Sequence, residues 1–172
     1  MVLVRGTNVG GHRTFRPSAL AGQLQHLDAL NIGAAGTFVV RAPIGREDLR
    51  AEFARRLPFA AELMICHGSD VTRLMTRDFF AAHPARKDLV RFVSVLSRSP
   101  RSAPPPPLDL PATGKWLVRV LAREGRFVVG VYRRQMKAIG QLGALDRVFG
   151  ASATTRSWST LSAIAEVLAR RR

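Results

Sequence analysis

The chain has 172 residues, of which 47% are hydrophobic and 23% charged, a composition that excludes a disordered or fibrous protein. Lysine and arginine number 27 against 12 acidic residues, which gives a formal net charge of +15. No apolar run reaches the roughly 18 residues of a membrane span, so we expect no membrane partner. A single cysteine excludes an internal disulfide, and the start lacks a secretory pattern, so we expect a cytoplasmic protein.

The positive charge is concentrated in the second half of the chain. Residues 1–86 hold 11 basic and 7 acidic residues, whereas residues 87–172 hold 16 basic and 5 acidic ones. Nearly all of the basic residues are arginines, whose planar guanidinium suits phosphate and carboxylate groups. An anionic partner explains this bias, and so does a genome rich in G and C codons; both explanations stay open.

Residues 1–86 predict one α+β subdomain. Leu20, Leu24, Leu27 and Leu30 recur at helical spacing after Pro17, which suits the first position of a helix. The remaining segments are short apolar runs bounded by glycine or proline. The expected order is β-α-β-α-β-α, with strands over 2–5, 37–40 and 62–66, a helix from Pro17, a helix over Leu49–Leu57 stopped by Pro58, and a short helix capped by Ser69.

Residues 87–172 predict a second small α+β subdomain. A strand over Leu89–Leu96 is followed by a Pro-rich segment, residues 97–111, in which four consecutive prolines at 104–107 indicate a stiff extended linker. A β-hairpin over residues 115–134 comes next, then a short segment from Ala144 to Phe149. A helix that carries Trp158, Leu161 and Leu168 at helical spacing closes the chain.

The hairpin carries the main prediction of a nucleic-acid interface. With Glu124-Gly125 as its two-residue turn, Val120 lies opposite Val129, and the apolar residues share one face. A basic face with one aromatic residue is typical of polyanion binding. That face holds the following residues: Lys115, Arg119, Arg123, Arg126, Tyr132 and Arg134.

Two motifs near the ends of the chain resemble a known family. The first is V-R-G-T-N-V-G-G-H over residues 4–12, and the second is A-T-T-R-S-W-S-T over residues 153–160. Together they resemble the uncharacterised bacterial family of domain of unknown function 1697, although Thr7 replaces the usual Ile, and Ser157 and Ser159 replace Asn. The resemblance implies an α+β fold with a ferredoxin-like N-terminal subdomain and a second small α+β subdomain. It implies no activity and no catalytic residues.

Both motifs also predict an anion-binding site. Backbone N–H groups of the Gly-rich turn can cradle an anion, with Arg5, Asn8, Gly10, Gly11 and His12 as its residues. In the second motif, Thr155 and Arg156 precede a helix, where an arginine can meet a phosphate. The alternative is structural: Asn8 caps its own turn, Thr155 or Ser157 caps the helix, and Arg156 makes an internal ion pair.

Catalytic signals are weak, and catalytic residues stay unknown. Cys66 and His67 are neighbours on a predicted strand and therefore point to opposite faces. The four histidines lack metal-ligand spacing, and no cofactor motif occurs, so we expect neither metal nor cofactor. Three functions remain: nucleic-acid or polyanion binding, a small-molecule enzyme or sensor that binds an anionic ligand between the two halves, and a structural or interaction module without a ligand.

Overall fold

The computed structural model describes residues 1–6 and 15–170, and the structural statements below concern that part of the chain. Its elements confirm the α+β class. They are, in chain order, β1 (Val2–Val4), α1 (Pro17–Gln23), a 3-10 turn (Gln25–Leu27), β2 (Ala29–Asn31), β3 (Thr37–Val40), α2 (Arg46–Arg56), β4 (Leu63–Ile65), α3 (Gly68–Met75), β5 (Leu89–Leu96), β6 (Leu108–Leu110), β7 (Val118–Glu124), β8 (Phe127–Arg133), α4 (Met136–Gly143), α5 (Leu145–Phe149), β9 (Ala153–Ser157) and α6 (Trp158–Ala169).

By its internal contacts the chain divides into two compact units. The first unit comprises Met1–Arg73 and Ser162–Arg172, and the second unit comprises Leu74–Leu161. Within the described ranges, no helix combines the length and apolar character that crossing a membrane requires.

A four-stranded antiparallel sheet in the order β2-β3-β1-β4 organises the first unit. Val2 lies opposite both Phe38 and Ile65, so these side chains share one side of the sheet. The side chains of α1 and α2 cover that side and complete a core whose buried members include Val4, Leu20, Leu24, Leu49 and Phe53. The short apolar strands predicted from the sequence are therefore central strands of this sheet.

The prediction of one long helix that starts at Pro17 and includes Leu30 is wrong. Helix α1 begins at Pro17 as expected but ends at Gln23, and Leu30 lies in strand β2 opposite Val39. Asp28 interrupts the helix because it adopts the left-handed conformation, with φ 49°, which Asp tolerates better than most residues. Arg41 holds the Asp28 carboxylate with two hydrogen bonds, of 2.7 Å from Nε and 3.0 Å from Nη2.

The extra strand changes the element order of the first half to β-α-β-β-α-β, followed by α3. This is the order that ferredoxin-like units have, while the ferredoxin-like assignment itself stays a prediction. Helix α3 begins at Gly68, so Ser69 lies inside its first turn and does not precede it as a cap.

A five-stranded antiparallel sheet in the order β6-β7-β8-β5-β9 forms the centre of the second unit. Its face A carries Phe92, Val120 and Val128, which pack with Leu145 and Phe149 of α5 into a buried core. Its face B carries the alternate residues, among them Val93, Val129 and Val131, which are also buried. Two of the five strands were not predicted: β6 lies inside the Pro-rich segment 97–111, and β9 lies in the T-T-R motif.

The predicted hairpin register is wrong. Glu124, and not Ala122, lies opposite Phe127, because the turn residues are Gly125 and Arg126. Between Val120 and Ala122 the register shifts at a β-bulge, so Val120 lies opposite Gly130. On one side of a bulge, each residue points to the face opposite to the one it would have in a regular ladder. Residues of β7 that were predicted to share a face therefore lie on different faces if they stand on different sides of the bulge.

Gly130 is required where the Phe92 ring crosses the centre of the second sheet. A Cβ atom on Gly130 would lie 2.3 Å from the carbonyl oxygen of Arg119 and 2.8 Å from the nearest ring atom of Phe92. The first of these atoms belongs to the backbone of the neighbouring strand, so it cannot move aside without breaking the ladder. Only glycine permits this approach.

We predict that Gly130→Ala lowers the free energy of unfolding by about 3 kcal/mol, the upper range for an overpacked core. Urea unfolding followed by circular dichroism measures this change.

Gly140→Ala is the matched control, because no atom lies within 4 Å of the Cβ position at this glycine of α4. It should raise the stability by up to about 1 kcal/mol, the helix preference for alanine over glycine. Equal stability of the two variants would contradict the tight contact at Gly130.

Candidate anion-binding site

Arg119, the centre of the predicted nucleic-acid face, is held by internal partners. Its guanidinium donates two hydrogen bonds to the Asp109 carboxylate, at 2.6 Å and 2.7 Å, and lies 4.6 Å from the centre of the Trp116 ring. Arg133 lies 4.2 Å from the same ring centre and donates to the Trp116 carbonyl oxygen. Two cation–π contacts and a bidentate ion pair thus fix this end of the hairpin.

The bulge divides the predicted nucleic-acid face. Arg123 lies opposite Val128 and so shares face A with Tyr132, whose ring packs 6.0 Å from that of Phe92, whereas Arg119 lies on face B. Arg126 donates to the Ser97 carbonyl oxygen. Lys115, Arg123 and Arg134 are exposed; Arg123 donates to the Gly125 carbonyl and Arg134 to the Lys87 carbonyl. Arg119 is therefore not part of one face with Arg123 and Tyr132, and nucleic-acid binding by the other residues stays a prediction.

The structure describes only the beginning of the Gly-rich motif, through residue 6. Asn8, Gly10, Gly11 and His12 lie outside the described residues. Arg5 Nη1 lies 3.4 Å from the Glu62 carboxylate, and both side chains are about two-fifths exposed, at 40% and 39%. Arg5 lies in the first unit and Arg156 in the second, and a site that they share stays a prediction.

Strand alternation separates the two residues predicted from the second motif. Thr155 lies on face A opposite Ser94, and the two hydroxyl oxygens are 2.6 Å apart. Arg156 lies on face B opposite Val93. Thr155 is therefore a sheet-stabilising residue, and it does not point to the same side as Arg156.

Arg156 has a partly buried guanidinium. Burial lowers the pKa of Arg156 to about 10 because the charged form loses its hydration. Its Nη1 donates to the Thr155 carbonyl oxygen over 2.8 Å.

Thr154 shares face B with Arg156, two positions away on β9. Thr154 is 4% exposed, and its hydroxyl is buried without a hydrogen-bond partner among residues 1–6 and 15–170. Such a group is uncommon, because buried hydroxyls nearly always find a partner. Sequence reasoning chose Thr155 because it treated the motif as a helix cap; recognising β9 as a strand would have selected Thr154.

Arg91 adds a second guanidinium to this part of face B. It lies on β5 two residues before Val93, the partner of Arg156, so the two arginines are diagonal neighbours within reach of long side chains. Arg91 lies over the Phe80 ring at 4.7 Å and donates from Nη2 to the His83 carbonyl oxygen. Its Nε–H is buried without a partner.

Thr154, Arg156 and Arg91 supply hydrogen-bond donors along face B, and these three residues are here called the β9 site. Donors of this kind bind an anion and perform no acid–base or nucleophilic step by themselves. Among the residues that the structure describes, no three His, Cys, Asp or Glu side chains are grouped so that they could hold a metal ion.

Compared with known proteins, the chain matches no family model, no curated protein and no solved structure at a significant level. The resemblance to the family of domain of unknown function 1697 therefore stays a prediction.

We predict a pH-dependent contribution to stability from the Arg119–Asp109 pair. The hydrogen bonds from Arg119 lower the pKa of Asp109 below its ordinary value of 3.8. A carboxyl with a lowered pKa in the folded state stabilises it above the ordinary pKa and loses this effect as the pH falls. Asp109→Asn should therefore unfold in less urea than the natural chain at pH 7, and the difference should vanish toward about pH 2.

Arg119→Gln serves as the partner variant. It should remove the same pH dependence, and the double variant should add little to either single one. A difference between Asp109→Asn and the natural chain that stays constant down to acid pH would contradict this assignment.

Proposed function

We propose that the second unit binds a small anion, a phosphate or carboxylate group, at the β9 site. The observation that carries the proposal is the buried, unpartnered hydroxyl of Thr154 beside the desolvated guanidinium of Arg156. An anion between them would accept hydrogen bonds from both side chains.

A polar group that is costly to bury lies two positions from Arg156 on one strand face. The Thr154 hydroxyl, buried without a partner among the described residues, costs about 1–3 kcal/mol. Valine has the shape of threonine and would remove this cost. An anion that accepts a hydrogen bond from Thr154 would offset it and would lie within reach of the Arg156 guanidinium, which supports a ligand role for Thr154.

The place of the site also supports binding. Strand β9 pairs only with β5 and is an edge of the second sheet. Arg156 is only partly buried as a residue, so a ligand can reach it from solvent. The structural alternative for this motif is a helix cap, and Ser157 supplies it. The Ser157 hydroxyl accepts a hydrogen bond of 3.3 Å from the Thr160 N–H at the start of α6. Thr154 and Arg156 take no part in that cap.

Thr154→Val gives the sharpest test, because stability and binding should change in opposite directions. Without ligand, the variant should gain about 1 kcal/mol in the free energy of unfolding, since an unpartnered hydroxyl is removed. With inorganic phosphate or acetate, tested at constant ionic strength against chloride, the natural chain should gain stability and the variant should gain less. A ligand at a hundred times its Kd stabilises by about 2.7 kcal/mol. Urea unfolding measures both effects.

Arg156→Gln should also abolish the gain, and Arg147→Gln, a change at an exposed arginine of α5, should keep it. If phosphate and acetate stabilise all of these variants equally, or none including the natural chain, the β9 site is not an anion site.

Nucleic-acid or polyanion binding is a second candidate, favoured by charge that internal pairs do not neutralise. The side chains of Arg123 and Arg134 donate to carbonyl oxygens, which are dipoles and leave a full positive charge at the surface. Lys115 is also exposed. These three residues, and not Arg119, would be the phosphate contacts.

Fluorescence anisotropy with labelled single- and double-stranded DNA and RNA tests this candidate. Replacing Lys115, Arg123 and Arg134 by Gln should weaken binding and reduce the salt dependence of log K by about one unit per lost phosphate contact. A triple variant at Arg16, Arg55 and Arg170, exposed arginines of the first unit, matches the loss of charge. Equal effects of the two triple variants would reduce the binding to general electrostatic attraction.

A further inference from the structure

The first unit contains a cavity of about 200 Å³ where strand β4 ends and helices α2 and α3 begin. Most of the residues that line it are apolar, among them Val40, Ile44, Leu49 and Ile65. An engineered cavity of about 150 Å³ binds benzene, so a cavity of this size accepts one small ring or a short aliphatic chain.

The polar part of the wall is positive. Arg46 is the first residue of α2 and Gly68 the first residue of α3, and both line the cavity together with His67. The N-terminus of a helix carries a partial positive charge and free N–H groups. Two helix starts and one arginine therefore meet at the same opening.

No carboxylate is among the described residues that line the cavity. Two acidic residues in the first turns of these helices have basic partners. Glu47 lies 3.7 Å from Arg50, and Asp70 accepts a hydrogen bond of 2.9 Å from Arg73. Asp48, the other acid in the first turn of α2, folds back beside Gly45 and does not line the cavity. The positive charge at the opening is thus complementary to a negative group from outside the chain.

From this combination we infer that the cavity binds a small monocarboxylate with a compact apolar body. The body lies against Ile44, Leu49 and Ile65, and the carboxylate lies at the opening beside Arg46 and His67. An arginine at the positive end of a helix is unfavourable by itself, and a bound carboxylate would offset this repulsion. The inference is independent of the β9 site, which lies in the other unit.

The only cysteine of the chain reports on the cavity. Cys66 lines it and is 4% exposed. A thiol reagent that reacts with this chain can therefore modify only a side chain of the cavity wall, and a ligand in the cavity should slow that reaction.

Benzoate and benzamide make a matched pair of probes, because they have nearly the same size and shape and differ in charge. With benzoate, the backbone amide signals of Ile65 and Gly68 should shift in ¹⁵N NMR spectra, and alkylation of Cys66 by iodoacetamide should slow several-fold. Arg46→Gln should raise the Kd for benzoate at least about tenfold, as expected for the loss of one charge-assisted hydrogen bond. Arg55→Gln, at an exposed position on α2 outside the cavity wall, should keep the natural Kd.

Three results would overturn the inference: no shift of the cavity amides with benzoate, equal binding of benzoate and benzamide, or an unchanged Kd in Arg46→Gln. The NMR measurement keeps the test decisive even if Cys66 reacts too slowly for kinetics.

Discussion

The contact of the Phe92 ring with Gly130 is the constraint on which the second sheet depends. Strand β5 is central, since it pairs with β8 on one side and β9 on the other. A ring that fills the place of a missing Cβ atom fits in one register only, because a slip by one residue would put a valine side chain there. That register places Val93 on face B, and pairing with Val93 then places Arg156 on the same face.

The bulge in β7 determines how much of the positive charge reaches the surface. It turns Arg119 toward face B, where the guanidinium contacts Asp109 and the Trp116 ring. Tyr132 lies on face A, where its ring packs against that of Phe92. A hairpin without a bulge would have aligned these residues as one basic face. The Arg119–Asp109 pair contributes nothing to the net charge of +15, which other basic residues carry, among them the exposed Arg123 and Arg134.

Sequence reasoning succeeded where an apolar run is bounded by a residue with a strict backbone preference. Pro17 begins α1, Pro58 follows α2, and Gly150 ends α5 in the left-handed conformation with φ 60°. It failed where tertiary pairing overrides the local pattern: Leu30 fits a helical spacing but pairs with Val39. Strand β9 has no apolar alternation of its own, so Thr154 could not be identified as the face partner of Arg156 before the pairing with β5 was known.

The two candidate sites share one architectural feature, a strand that passes into a helix with almost no loop. Strand β9 is followed at once by α6, and only Cys66 and His67 separate β4 from α3. Such a junction directs helix N–H groups and the last strand side chains toward the same place, which favours anions. It supplies hydrogen-bond donors: the β9 site has two guanidiniums and a hydroxyl, and the cavity wall has an arginine and a histidine. These donors favour recognition of negative groups at both places.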